Sequence, residues 1–350
     1  MSVARRYHDV GGRIDSPGWG DASAVDRRER TLFYWERQCA AIRVLLGAQG
    51  IVPLDELRDG FESFGEALYH DLSFFERMLT SMLGILDRKA VVAADEVDRM
   101  VAELKGLHDA SPGWLATRGD RTSDPCADAA AAVTDPYGGR GYLPAADCPP
   151  SSSEWRTLAL AELLERRGLL SRDQIRVAIE RIDAPKPAWG ARIVAKAWQD
   201  PDFRQAAIAD GRVACEEFGI SFPDGRLAIV ESTPQVHCLI VCTLCSCYPR
   251  NLLGQPPAWY VGKPYRTRAV REPRAVLREF GLELPESVRV DVYDSTADLR
   301  YMVLPLKPSG AEGLDEATLA TIVTRDCLIG VAVPKLPDVQ TDRPITTIRP

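Results

Sequence analysis

No apolar run in this 350-residue chain approaches the roughly 20 residues that a membrane-spanning helix needs. The opening MSVARRYHDV lacks the apolar core of a secretory leader, so the chain is expected in the cytoplasm, with no membrane partner. A surplus of positive charge is also missing: Lys+Arg number 43 against 50 Asp+Glu, net −7, which argues against nucleic acid as a general partner. There is no internal repeat. A disulfide framework is not expected either, because the cysteines number nine, an odd count, in a chain without an export signal. The arginines at 266, 268, 271, 274 and 278 are interrupted by acidic residues and read as a solvated helix face.

What is present is enough apolar material, 45%, for a sizeable core and enough charge, 27%, for solubility. Residues 1–23 read as an extended, turn-rich arm. A first helix is expected from near Asp26, because Leu32, Trp35, Cys39, Ile42 and Leu46 recur at spacings of three and four. Pro53 opens a short second helix, a third runs from about Asp71 to Leu86, and a fourth covers about 95–107. Residues 109–153 then turn to Pro, Gly, Ala, Asp and Ser without periodicity, a long linker between two parts. Beyond it, helices are expected at about 154–167, 171–182, 189–199 and 201–218. Strands follow at Leu227 to Glu231, Val236 to Val241, Val288 to Tyr293 and Arg300 to Leu304. Helices near 272–280 and 315–323 and a last strand at 327–333 complete the pattern. The expected class is α+β: a helical N-terminal module over 1–108, a linker over 109–153, and a module over 154–350 whose helices pack on a small mixed sheet.

One stretch carries chemistry. Val241 to Pro249 reads VCTLCSCYP, with three cysteines in six residues spaced C-x-x-C-S-C. Thiolates are soft donors, and three on so short a loop can converge on one ion, with the intervening backbone amides brought close. Structural zinc and iron–sulfur clusters each want four ligands, and no second C-x-x-C pair exists here. Spacing alone leaves three readings open: a catalytic or redox metal with one free position, structural zinc, or inert thiols. Cys39, Cys215, Cys238 and Cys327 sit in apolar patterns and read as buried small hydrophobes. Cys126 and Cys148 fall in the linker with no assigned role.

The loop resembles the metal-binding signature of the nitrile hydratase α-subunit and of the related thiocyanate hydrolase. The resemblance extends through WGARIVAKAW at 189–198, ESTPQVH at 231–237, GQPPAWY at 254–260, Tyr265-Arg266, Tyr293 to Thr296 and TRDCLIGV at 324–331, covering essentially all of 154–335. HDVGG at 8–12 and Trp35-Glu36-Arg37 resemble the N-terminal half of the β-subunit. The chain therefore looks like a fusion of half of β, a linker and α. The small β-barrel that forms the other half of β has no counterpart, which implies a separate barrel subunit as partner; a metallochaperone is a further implied partner.

Carried over residue by residue, the resemblance makes Cys242 the axial thiolate, Cys245 the sulfinic acid and Cys247 the sulfenic acid. It makes the amides of Ser246 and Cys247 the remaining metal donors and Arg37 the arginine that bonds the oxidised sulfurs. Thr243 is similar to the type with non-corrin Co3+; Fe3+ is the other family metal. The implied activity is a lyase reaction, water adding across a C≡N bond to give an amide. A thiocyanate hydrolase-like reaction on a small anion is the alternative, and a non-catalytic metal-binding subunit the alternative of another class. Two departures bear on substrate. Arg250 stands where nitrile hydratases have Trp, which favours an anionic or strongly polar substrate. Phe74-Phe75-Glu76-Arg77 replaces a Tyr-Tyr-Glu-His run, losing a hydroxyl and an imidazole.

Overall fold

The computed structural model describes residues 23–110, 151–223 and 225–337. The linker with Cys126 and Cys148, the HDVGG motif and the last residues lie outside the described residues. No helix among the described residues is long and apolar enough to cross a membrane.

The N-terminal helices are α1 (Tyr34–Ala48), α2 (Leu54–Glu62), α3 (Glu66–Asp71), α4 (Phe74–Arg88) and α5 (Ala94–Ala110). Ser73 starts α4 with a reciprocal cap: its hydroxyl accepts the Glu76 amide, and Glu76 accepts the Ser73 amide at 2.8 Å. The first helix begins at Tyr34, not near Asp26. The preceding residues instead run as an arm tied to distant partners, with the Val25 amide on Glu279 at 2.8 Å and Arg325 on Glu29 at 3.0 Å. Those bonds hold the arm extended and leave α1 to begin at the buried Trp35 stripe.

After residue 150 come α6 (Ser152–Arg166), α7 (Arg172–Asp183), α8 (Pro187–Gln199), α9 (Pro201–Ala209) and α10 (Gly211–Glu217). The single helix expected over 201–218 is broken, because Asp210 turns out to cap a new one, accepting the Arg212 amide at 2.9 Å. Strands β1 (Arg226–Glu231) and β2 (Val236–Val241) follow, then short helices α11 (Arg250–Leu253), α12 (Ala258–Val261), α13 (Lys263–Arg271) and α14 (Pro273–Glu279). Strands β3 (Arg289–Asp294) and β4 (Leu299–Leu304) and helices α15 (Glu316–Thr321) and α16 (Arg325–Ile329) close the fold.

The strands pair in twos, β1 with β4 and β2 with β3, and both pairs are parallel where a mixed sheet was expected. The strand expected at 327–333 is α16: Thr324 caps it, and Gly330 ends it at φ +92°. A Cβ on Gly330 would come within 2.0 Å of the Cys238 carbonyl oxygen, so glycine is required twice over. One continuous apolar core runs from Val25 to Val331 and joins the N-terminal helices to the rest.

The reading of a solvated helix face fails at its first two members. Arg266 and Arg268 are 2% and 7% exposed. Burial without partners would be costly, and Arg268 finds Glu272 at 2.7 Å, Glu279 at 2.6 Å and the Ser23 carbonyl at 3.0 Å.

Candidate metal centre

The cysteine loop leaves β2 directly and ends at α11. The parallel register sets Val241 opposite Asp294, and the Ser295 amide donates to Val241 O at 2.7 Å. Asp294 therefore lies where the loop starts and accepts the Thr243 amide at 2.9 Å and the Thr243 hydroxyl at 2.6 Å. Ser246 then takes φ +68°, a left-handed conformation uncommon for a residue with a side chain. That reversal lets Cys247 return toward Cys242. The three sulfurs lie within 4.8 Å of one another, and Cys245 Sγ is 3.1 Å from Cys247 Sγ. The Cys245 amide donates to Cys242 Sγ at 3.3 Å. Cys242 is buried, whereas Cys245 and Cys247 are half-buried, so the cluster has one closed side and one open side.

The far side is held by aromatic hydroxyls and one cation. Tyr260 donates to Cys247 O at 2.7 Å, and Tyr265 donates to Ile240 O at 2.5 Å. Arg266 donates to Cys242 O at 3.0 Å and to Thr243 O and Leu244 O, both at 2.7 Å. Burial alone would push the Cys242 thiol up, but hydrogen bonds from Cys245 and Cys247 and the charge of Arg266 bring it well below the usual range. Hydrogen bonding with Cys242, together with burial, pushes the Cys245 thiol up to about 11. Cys247 shifts upward too, because it would ionise last beside two sulfurs. Three sulfurs that resist shared ionisation, yet sit in contact, form a donor set that a polyvalent cation would relieve. The thiols fit a metal.

Comparison with known proteins agrees. The family description "Nitrile hydratase, alpha chain" matches residues 151–332, and "Nitrile hydratase beta subunit, N-terminal" matches residues 4–124. The chain belongs to the nitrile hydratase family. It is 46% identical over 184 residues to the low-molecular weight cobalt-containing nitrile hydratase subunit alpha of Rhodococcus rhodochrous, covering 52% of this chain and 89% of that protein. It is 44% identical over 197 residues to thiocyanate hydrolase subunit gamma of Thiobacillus thioparus, covering 53% and 81% respectively. Among solved structures, a recombinant thiocyanate hydrolase with partially modified cobalt centers aligns with TM-score 0.52 at 41% identity, over 56% of this chain and all of that one. A double mutant of the Fe-type nitrile hydratase from Comamonas testosteroni Ni1 aligns with TM-score 0.51 at 43% identity, over 53% of this chain and 93% of that one.

In this nitrile hydratase family chain, an arginine that the sequence does not single out is set against the sulfurs. Arg37 places its guanidinium 3.8 Å from Asp183 at the end of α7, the side of α1 that packs on α7. The cation facing Cys245 and Cys247 is Arg58 on α2. Burial works against its charge, but those two sulfurs and a hydrogen bond to Cys245 outweigh it and hold its proton more firmly. Its Nε is buried and has no hydrogen-bond partner. Sequence reasoning missed Arg58 because nothing in the local pattern marks it. It stands beside Leu57 on an amphipathic helix, where a solvated arginine is the ordinary expectation.

Arg250 lies close enough to Cys247 and Cys245 for their charge to act on it. Its guanidinium is 5.5 Å from the Phe74 ring centroid, and it donates to Gln255 Oε1 at 3.3 Å. Burial, reinforced by repulsion from Arg43, pushes its pKa down to about 10 against the pull of Cys247. Arg77, the last residue of the Phe74-Phe75-Glu76-Arg77 run, is buried and donates to Tyr69 O at 3.3 Å. Cys238 is fully buried, and its thiol donates to Glu231 O at 3.2 Å, a packing role in line with the reading of it as a small hydrophobe.

Proposed function

We propose that this chain is the catalytic polypeptide of a nitrile hydratase-like hydro-lyase: R–C≡N + H2O gives R–C(O)NH2. The observation that carries this is the left-handed turn at Ser246, which closes three sulfurs into one cluster with an open side. We assign Cys242, Cys245 and Cys247, with the Ser246 and Cys247 backbone nitrogens, as the ligands. Non-corrin Co3+ is the metal, supported by Thr243 and by the cobalt-containing relatives, with Fe3+ the other candidate. When bound, the ion supplies Lewis acidity toward a nitrile nitrogen.

The chain's own residues do the rest. Cys245 and Cys247, carried as sulfinic and sulfenic acids, turn their oxygens toward Arg58, whose unpartnered Nε is the matching donor. Sulfenic acid is short-lived when exposed, so this donor protects it and aims its oxygen at the nitrile carbon, directly or through a water. Phe74 presents an apolar wall where the family carries a hydroxyl, so orientation of substrate falls to Arg250.

Two matched segments in one chain support a division into residues 1–108, resembling half of the β-subunit, a linker over 109–153, and an α-subunit-like module over 154–350. We infer that a separate small β-barrel chain covers the open side and that a metallochaperone delivers the ion.

A second reading has its own observation. Arg250 over Phe74, with Arg43 near enough to lower its pKa, makes the open side cationic, which favours a small anion such as thiocyanate. Peptide mass spectrometry of 242–247, metal analysis and the visible sulfur-to-metal band test the centre. Stoichiometric cobalt, oxidation on Cys245 and Cys247 and amide release from nitriles are expected. Unmodified, metal-free thiols in the active protein would overturn the proposal.

A further inference from the structure

Arg266 is a fully buried cation that reaches four oxygens. Its Nε and one terminal nitrogen hold three successive loop carbonyls, those of Cys242, Thr243 and Leu244. Three carbonyl dipoles aimed at one point repel each other unless a shared donor stands between them. A guanidinium, planar and all-donor, is the side chain able to serve them together. The other terminal nitrogen donates to the Tyr69 hydroxyl at 2.9 Å. Tyr69 is 3% exposed and comes from α3, 197 positions earlier. It is itself fixed: Arg77 lies 4.6 Å from its ring centroid and Lys263 4.7 Å.

We propose that Tyr69 is a positioning residue of the cysteine loop. The hydroxyl fixes the plane of the Arg266 guanidinium, and that plane fixes the carbonyls of residues 242–244, so the docking of α3 sets the conformation from which the three sulfurs converge. Arg58 meets the sulfurs from α2; Tyr69 meets the backbone behind them from α3, with Arg266 between. Removing the hydroxyl takes a partner from a buried charged donor. The guanidinium then turns to recover one, and the carbonyls loosen. The importance of this strut for catalysis rests on the metal-centre reading above; the strut itself does not, because it is made of protein atoms alone.

The test is hydrogen exchange on the full, chelator-treated chain, comparing Tyr69→Phe with the unaltered protein. Phe keeps the ring between Arg77 and Lys263 and deletes only the hydroxyl. The Thr243 and Cys245 amides, which donate to Asp294 and to Cys242 Sγ, report the loop. Their exchange is expected to speed up roughly ten-fold, while peptides of α8 exchange as before. Equal loop exchange in the two proteins overturns the proposal. Should α8 also exchange faster, Arg266→Lys takes over, since it keeps the buried charge without the planar fork; loop-confined acceleration supports the strut, and its absence overturns it. After cobalt loading, Tyr69→Phe is expected to shift the sulfur-to-metal band at unchanged cobalt content. A parent protein that takes up no cobalt, while exchange still separates the variants, would sink the metal centre and leave the strut standing.

Discussion

Asp294 receives both the amide and the hydroxyl of Thr243, at 2.9 and 2.6 Å, so the last residue of β3 clasps the first turn of the cysteine loop. The clasp follows from register: Asp294 is opposite Val241, one residue before Cys242. Thr243→Val keeps the shape and the amide bond and deletes the hydroxyl bond. Asp294 is solvent-exposed and can recover water, so the expected cost is about 1 kcal/mol of unfolding free energy. Urea melts of both proteins check it, and an unchanged midpoint would show the hydroxyl to be idle.

Arg58 is the variant that separates binding of the ion from use of the centre. The sulfur ligands do not depend on it, but the protection of an oxidised sulfur does. Arg58→Ala is expected to keep cobalt and lose sulfenic acid from the 242–247 peptide, with kcat down about 10²-fold, the usual cost of deleting a preorganised donor. Arg37→Ala is expected to change neither the peptide mass nor kcat beyond two-fold. Metal analysis, peptide mass and turnover on one preparation decide between the two arginines.

The different fates of Arg37 and Arg58 show how much of the site could be read from the sequence. The cysteine spacing names its own chemistry, because no other fold requirement puts three sulfurs in six residues, and the turn at Ser246 only completes what the spacing demands. An arginine on an amphipathic helix carries no such mark. Which guanidinium reaches the sulfurs depends on how α1 and α2 pack, and that is decided by residues distant in sequence. The same limit applies to Arg266 and Arg268, whose partners Tyr69 and Ser23 lie far upstream. At α16, an apolar run looks like a strand until the Thr324 cap and Gly330 stop are recognised as helix ends.

His237 gives the pH dependence. Its ring is 5% exposed and bonds Gly330 O at 2.7 Å through Nε2. Burial disfavours the imidazolium and lowers its pKa, partly countered by the Gly330 carbonyl. The unfolded chain then binds a proton that the folded one resists. Its contribution to stability is present above about pH 6.5 and declines as pH falls below that value, no more steeply than about 1.4 kcal/mol per pH unit for one proton. His237→Gln removes that part of the slope, and urea melts between pH 5 and 7 read the difference. Identical slopes would place the proton uptake elsewhere.

Arg250 decides which substrate class the open side prefers. A cation half-buried beside Phe74 attracts an anion and offers a neutral nitrile only hydrogen bonds, whereas an indole there supplies apolar contact and no charge. Arg250→Trp is therefore expected to raise KM for thiocyanate or a carboxylated nitrile by about ten-fold or more, equivalent to about 1.4 kcal/mol of lost binding. It should leave KM for a small aliphatic nitrile unchanged or lower it. The lost attraction is electrostatic, so the unaltered protein's preference for the anion should weaken as salt rises, and the variant's should not. Steady-state kinetics with one anionic and one neutral substrate at two ionic strengths check both halves. If Arg250→Trp shifted the two KM values together, Arg250 would be shaping the pocket, and its charge would play no part in the choice.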